Sequence, residues 1–154
     1  MSEGMELKLF GDKNTIAVFE ALPAAFQKRV LTTAARGGAT VIRKAAKANL
    51  RANGSIRTGL LDHAINLRVK HYSSGTVWAG VGVDKGVSGR TISRRNITPA
   101  NYLHLVEFGT RHSKAKPFLR PAVDSSKAAV QVGVLKASER GLAREIKKLT
   151  KGAR

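Results

Sequence analysis

The chain has no cysteine. That excludes a disulfide framework, a thiolate metal site and a cysteine nucleophile, and it fits a reducing compartment. Aromatic residues make up only 5% of the sequence. A core must therefore be built from Ala, Val, Leu and Ile, and a base-stacking platform for nucleic acid has few residues to draw on. Acidic residues are scarce as well: ten Asp and Glu stand against 28 Lys and Arg, for a formal net charge of +18. Four of the ten (Glu3, Glu6, Asp12, Glu20) fall in the first twenty residues, where the local balance is −2. No apolar run approaches the roughly 20 residues that a bilayer span requires, and no basic-then-apolar-then-small order opens the chain. No membrane association and synthesis in the cytoplasm are expected.

The thin acid supply limits the chemistry. After residue 20 the acids are Asp62, Asp84, Glu107, Asp124, Glu139 and Glu145, scattered along the sequence. A two-metal hydrolytic site needs clustered carboxylates, and these six do not cluster. His104 and His112 flank Gly109 with one acid nearby, too few ligands for a metal site. His63 and His71 read as lying on one strand face, too far apart to share an ion. Gly80-Val81-Gly82-Val83-Asp84-Lys85-Gly86 lacks phosphate-loop or dinucleotide spacing, and no serine stands in a nucleophile elbow. The sequence predicts no enzyme, no cofactor and no metal.

What is present reads as one α+β domain over residues 1–154, a size that suits a single core. Apolar content of 42% is ordinary for a globular chain. Residues 5–10 alternate and predict a short strand, followed by a turn at 11–14 and a helical turn or two at 15–21. Pro23 opens a long helix over 23–51. Its apolar stripe is Phe26, Val30, Ala34, Gly37, Val41, Ala45 and Ala48, and its basic face holds Lys28, Arg29, Arg36, Arg43, Lys44, Lys47 and Arg51. Gly37-Gly38 weakens this helix by about 1 kcal/mol per glycine, which implies a bend or a close crossing. A strand follows between Leu61 and Tyr72, with Ile65, Leu67 and Val69 on its buried face. Ser73-Ser74-Gly75 turns it into a second strand carrying Val77, Ala79, Val81 and Val83, an antiparallel hairpin. Trp78, alone of its type, is expected to pack in the core. Residues 84–98 have no period and read as a long flexible basic arm carrying Lys85, Arg90, Arg94 and Arg95. A C-terminal helix is expected over 122–150, weakened at Gly133 and Gly141, with a frayed tail over 147–154. The predicted architecture is a long N-terminal helix packed on a small antiparallel sheet, with a C-terminal helix and a long basic loop.

The densest stretch runs from Pro99 to Ala122. Thr98 is placed to cap a short helix that ends at Glu107. Phe108-Gly109-Thr110 then makes a corner, where glycine gives access to backbone angles closed to other residues. A basic loop leads to Pro117-Phe118-Leu119-Arg120-Pro121, in which two prolines restrict the backbone. The whole reads as a rigid elbow between two helices. Glu107 is read as an ion-pair partner of Arg111 or Arg120, within the chain or across a subunit boundary.

Arg57-Thr58-Gly59-Leu60 before a hairpin, Tyr102 to Thr110 with its Glu107-Phe108-Gly109-Thr110 corner, and Pro117-Phe118-Leu119-Arg120-Pro121-Ala122 before a last helix resemble a family of tailed-bacteriophage proteins. These are the head–tail joining, or neck and tail-completion, proteins named for gene product ten of a lambdoid phage. Phe19-Glu20-Ala21-Leu22-Pro23 before an Ala-rich helix is similar to it too, and the likeness spans roughly residues 5–145. It implies a structural virion protein: a subunit of a homo-oligomeric ring, with six copies expected, joining the capsid portal complex to the tail tube around the DNA channel. The implied partners are neighbouring neck and connector proteins and tail-tube or tail-terminator proteins, with non-specific contact to channel DNA. The implied location is the virion neck, reached by assembly in the host cytoplasm. The basic arm at 84–98 is expected to order on a neighbour or to face DNA. The alternative reading is a basic, sequence-independent nucleic-acid-binding protein.

Overall fold

The computed structural model describes residues 23–54, 59–90 and 96–152. The predicted strand at 5–10, the helical turn at 15–21, Arg57 and Thr58 of the first motif, and Arg94 and Arg95 of the arm lie outside the described residues. The architecture is α+β: a long helix lies against a two-stranded antiparallel sheet and against a C-terminal helix.

Helix α1 (Ala24–Ala52) starts directly after Pro23, whose carbonyl accepts from Phe26 and Gln27 N–H. Its buried residues are Val30, Ala34, Gly38, Ala39, Ala46 and Leu50. Of the expected stripe, Val30 and Ala34 are buried, Gly37, Val41 and Ala45 are half-buried and Ala48 is exposed, while Gly38, Ala39 and Ala46, outside the stripe, are buried. The correction has a steric cause. The side of the helix that meets a partner most closely is the one with the least side chain, so Gly38, Ala39 and Ala46 face inward.

Gly59, with φ +70°, heads a one-turn helix α2 (Leu60–Ala64), and strand β1 (Ile65–His71) follows. The strand therefore begins at Ile65 and not near Leu61, and His63 lies on the helical turn rather than on the strand face shared with His71. Leu61 and Ala64 are buried there, and Asp62 and Ala64 are of types depleted in strands. β1 pairs with β2 (Val77–Val83) in the register Ile65↔Val83 through His71↔Val77, with Gly75 at φ +81° in the turn. The alternation is as read, but Trp78 is 47% exposed. It does not enter the core. Its indole covers the position a side chain at Gly80 would occupy, so it lies flat on the outer sheet face.

Strand β3 (Gly89–Arg90) pairs antiparallel with β4 (Asn96–Ile97), and Leu60 packs over Gly89. Helix α3 (Pro99–Phe108) follows; Thr98 holds the N-cap position without a capping side-chain bond. Helix α4 (Leu119–Ser125) and helix α5 (Lys127–Gly152) complete the chain. The last helix thus begins at Leu119, before Pro121, and is interrupted at Ser126 rather than at a glycine. Its backbone is helical through Gly152.

Two apolar clusters divide the molecule. Phe118, Leu50, Ile65, Leu61, Ala46 and Ala122 form one, flanked by Val81, Val83, Tyr102, Leu103, Val106 and Leu119. Ala34, Val130 and Val134 form the other, between α1 and α5. The second is an antiparallel helix pair at very close range. Arg29 meets Glu145, Thr33 faces Gly141, Gly37 faces Ala137 and Val41 faces Gly133. A Cβ at Gly37 would overlap that of Ala137 and sit 2.7 Å from the Gly133 carbonyl. The glycines predicted to weaken two helices are where the helices touch. Among the described residues no helix is long and apolar enough to cross a membrane.

Candidate functional site

The elbow is where the structure concentrates its specific polar contacts. Helix α4 starts at Leu119 with Phe118 at its N-cap, a residue with no side-chain oxygen, and no capping bond is made locally. The first N–H groups of a helix need acceptors from somewhere. Glu107, eleven residues back and buried, supplies them: Oε2 accepts from Phe118 N–H (2.9 Å) and Leu119 N–H (3.1 Å), and Oε1 accepts from Arg120 N–H (3.0 Å). A carboxylate at a helix N-terminus is also favoured by the helix dipole. Glu107 is therefore a remote cap and not the partner of Arg111 or Arg120 guanidinium groups. The ion pair expected within the chain gives way because the N–H groups of Phe118, Leu119 and Arg120, buried or part-buried, have no other acceptor among the described residues, whereas the exposed guanidinium groups reach water.

The chain between cap and helix is held at several points. Gly109 has φ +78°, and a Cβ there would lie 2.7 Å from Ala115 N and 2.9 Å from Ser113 O. Thr110 and Ser113 exchange backbone bonds of 2.9 and 3.3 Å, while Thr110 Oγ1 accepts from the N–H groups of His112 and Ser113. Lys116 N–H donates to the Val106 carbonyl at 2.9 Å. From the far side α1 closes the corner: Asn49 Nδ2 donates to Phe118 O (3.2 Å) and Asn53 Nδ2 to Pro117 O (2.7 Å). Phe118 itself is fully buried in the main core. Tyr102 is half-buried beside it, and that burial pushes its phenol above the ordinary value.

The outer face of the corner is apolar. Phe108 is 61% exposed and Leu105 42%. The Arg120 guanidinium stacks over the Phe108 ring at 4.7 Å from its centroid, a cation–π contact. Pro121 is exposed in the first turn of α4.

Of the sequence-predicted residues, Tyr102, Glu107, Phe108, Gly109, Thr110, Pro117, Phe118, Arg120 and Pro121 come together in this corner. Gly59 stands at the head of α2 and Lys85 is exposed after β2; Arg90 closes the short strand β3. Asn49 and Asn53 escaped notice in the sequence. Their spacing of four puts both amides on one helix face, and that was the signal available.

Five of the six late acids are occupied by structural contacts, Glu107 as the cap already described. Asp62 pairs with Arg51 (3.0 Å), Asp84 with Arg68 (3.0 Å), Asp124 with Lys127 (3.7 Å), and Glu145 with Lys148 (2.7 Å) and Arg29 (3.1 Å). Among the described residues no three His, Asp or Glu come together as a metal set. What the corner offers chemically is a fixed angle and an apolar, cation-edged face.

No protein-family model, curated protein or solved structure matches the chain.

Proposed function

We propose that this protein is a structural subunit of the head–tail connector of a tailed phage, forming a ring of six in the neck or at the tail end. The observation that carries the reading is the locked corner. The two motifs behind the phage resemblance, Glu107-Phe108-Gly109-Thr110 and Pro117-Phe118-Leu119-Arg120-Pro121-Ala122, are separate in sequence and joined by three hydrogen bonds in space. A joint between two larger assemblies needs elements held at a fixed angle, and a rotational ring needs two different contact faces on each subunit. The corner supplies the first and, through Phe108 and Leu105, one candidate for the second. In this reading the ring surrounds the DNA channel, contacts the connector protein above and the tail-tube or tail-terminator protein below, and assembles in the host cytoplasm.

The test is removal of the gene from a phage genome that carries it, with electron microscopy of the lysate. Filled heads and separate tails that fail to join, or tails with abnormal ends, are expected. Normal infectious particles would overturn the proposal.

A further inference from the structure

The α1–α5 pair leaves a groove of about 400 Å³ along one side of its glycine crossing. Arg36 and Lys44 of α1 and Lys136, Arg140 and Arg144 of α5 line it, and among the described residues no carboxylate does. All five are exposed. Like charges are set side by side here with no described carboxylate opposite them, because the described acids are engaged elsewhere and Glu139, the exception, does not line the groove. Arg140 bonds its own helix through Nε, to the Lys136 carbonyl at 3.0 Å, which leaves its terminal nitrogens for an anion. A cationic cluster of this kind raises the local concentration of anions.

We propose that this groove is a track for the phosphate backbone of nucleic acid, read without regard to sequence. On each helix the cations span eight residues, about 12 Å at 1.5 Å per residue. That length matches three or four phosphates at roughly 3.4 Å per strand. Among the described residues the groove has no Phe, Tyr or Trp, so they offer neither a stacking platform for bases nor the aromatic anchor that a protein partner uses as a hot spot. Cations with no aromatic neighbours favour a phosphate chain over an acidic protein segment. The inference stands apart from the ring assignment, since it concerns the purified chain in solution.

The test is fluorescence anisotropy with two 20-base-pair duplexes of unrelated sequence, and with polyglutamate of matched charge, over a salt series. Wild-type protein is expected to bind both duplexes alike and in preference to polyglutamate. Arg36→Gln, Arg140→Gln and Arg144→Gln together should flatten the log–log salt slope by about 2.7, three contacts at roughly 0.9 each. An equal charge change elsewhere, Lys70→Gln with Arg111→Gln and Lys114→Gln, should move the slope by less than about 1. Thermal melts establish that both variants remain folded; the replaced side chains are all exposed. Equal flattening in both variants would reduce the groove to one part of a diffuse charge. Groove-dependent preference for polyglutamate would reassign it to an acidic protein, and tenfold discrimination between the duplexes would rule out phosphate-only contact. Any of these outcomes overturns the proposal.

Discussion

Replacing Glu107 by Ala leaves the N–H groups of Phe118, Leu119 and Arg120 without their acceptor in a buried corner. Hydrogen bonds to a charged group and helix caps each contribute on the order of 1–3 kcal/mol, so Glu107→Ala should cost about 3 kcal/mol in urea denaturation. Glu107→Gln should cost about half of that, because an amide oxygen still accepts but carries no charge. A loss below about 0.5 kcal/mol for Ala would show that water replaces the carboxylate. At Gly109 the φ of +78° and the 2.7 Å approach to Ala115 N act together. Gly109→Ala should cost about 2–3 kcal/mol, read as a fall in Tm of roughly 5–10 °C, and Gly109→Val should cost more. Gly109 was legible in the sequence because a glycine between an apolar run and a polar loop has few other purposes. The partner of Glu107 was not. An acid near two arginines invites an ion pair, whereas the true donors are main-chain groups that no residue letter announces. The clue lay in the receiving helix, whose N-cap residue, Phe118, has nothing to cap with.

The long helices show the same division between pattern and partner. The 3.6 period placed α1 to within a residue, and period-two alternation placed β1 and β2 with their inward faces. Which side of α1 turned inward past Ala34 depended on α5, and hydrophobicity alone chose Ala48 over Gly38 and Ala46. The glycines of α5 were read as weak points; they are the contact, and the interruption falls at Ser126, between a segment anchored by Glu107 and Asn49 and one anchored by α1. Gly37→Ala should therefore cost about 1–3 kcal/mol through overpacking. Adding Ala137→Gly should recover part of it, and a double-mutant cycle in thermal melts measures the coupling. Purely additive losses would mean that the helices separate freely to admit the methyl group. At the far end of the same pair Lys148, and then Arg29, hold the Glu145 carboxyl below its usual range. A depressed carboxyl contributes stability that is present above its unfolded value, about 4.3, and is lost as pH falls through its folded value. Glu145→Gln should then lower Tm at pH 7, with the deficit shrinking once the pH drops below about 4.3. A deficit independent of pH would assign the effect to packing.

At the scale of the whole molecule, charge and exposed apolar surface oppose each other. A net charge of +18 drives copies apart, yet Phe108 and Leu105 at the corner, and Val132 and Leu135 on α5, stand about half exposed. A head-to-tail ring joins two unlike patches, and these lie on different elements. Repulsion between subunits weakens as the Debye length contracts from about 10 Å at 0.1 M salt to about 3 Å at 1 M, while apolar contact persists. If the proposed ring forms through the corner, light scattering should show monomers at low salt and a closed oligomer at high salt or with an acidic partner ring. Phe108→Asp should hold the chain monomeric at both ionic strengths and leave Tm within about 2 °C, since the ring lies outside the core and surface changes move stability by at most about 0.5 kcal/mol. Assembly of Phe108→Asp at the same salt as the wild type would remove the corner as a contact face. The same substitution at Leu135 then decides whether α5 carries the opposite face: a ring requires both, so Asp at either position should suffice, and a mixture of the two variants should stop at dimers, joined through the one intact pair of faces.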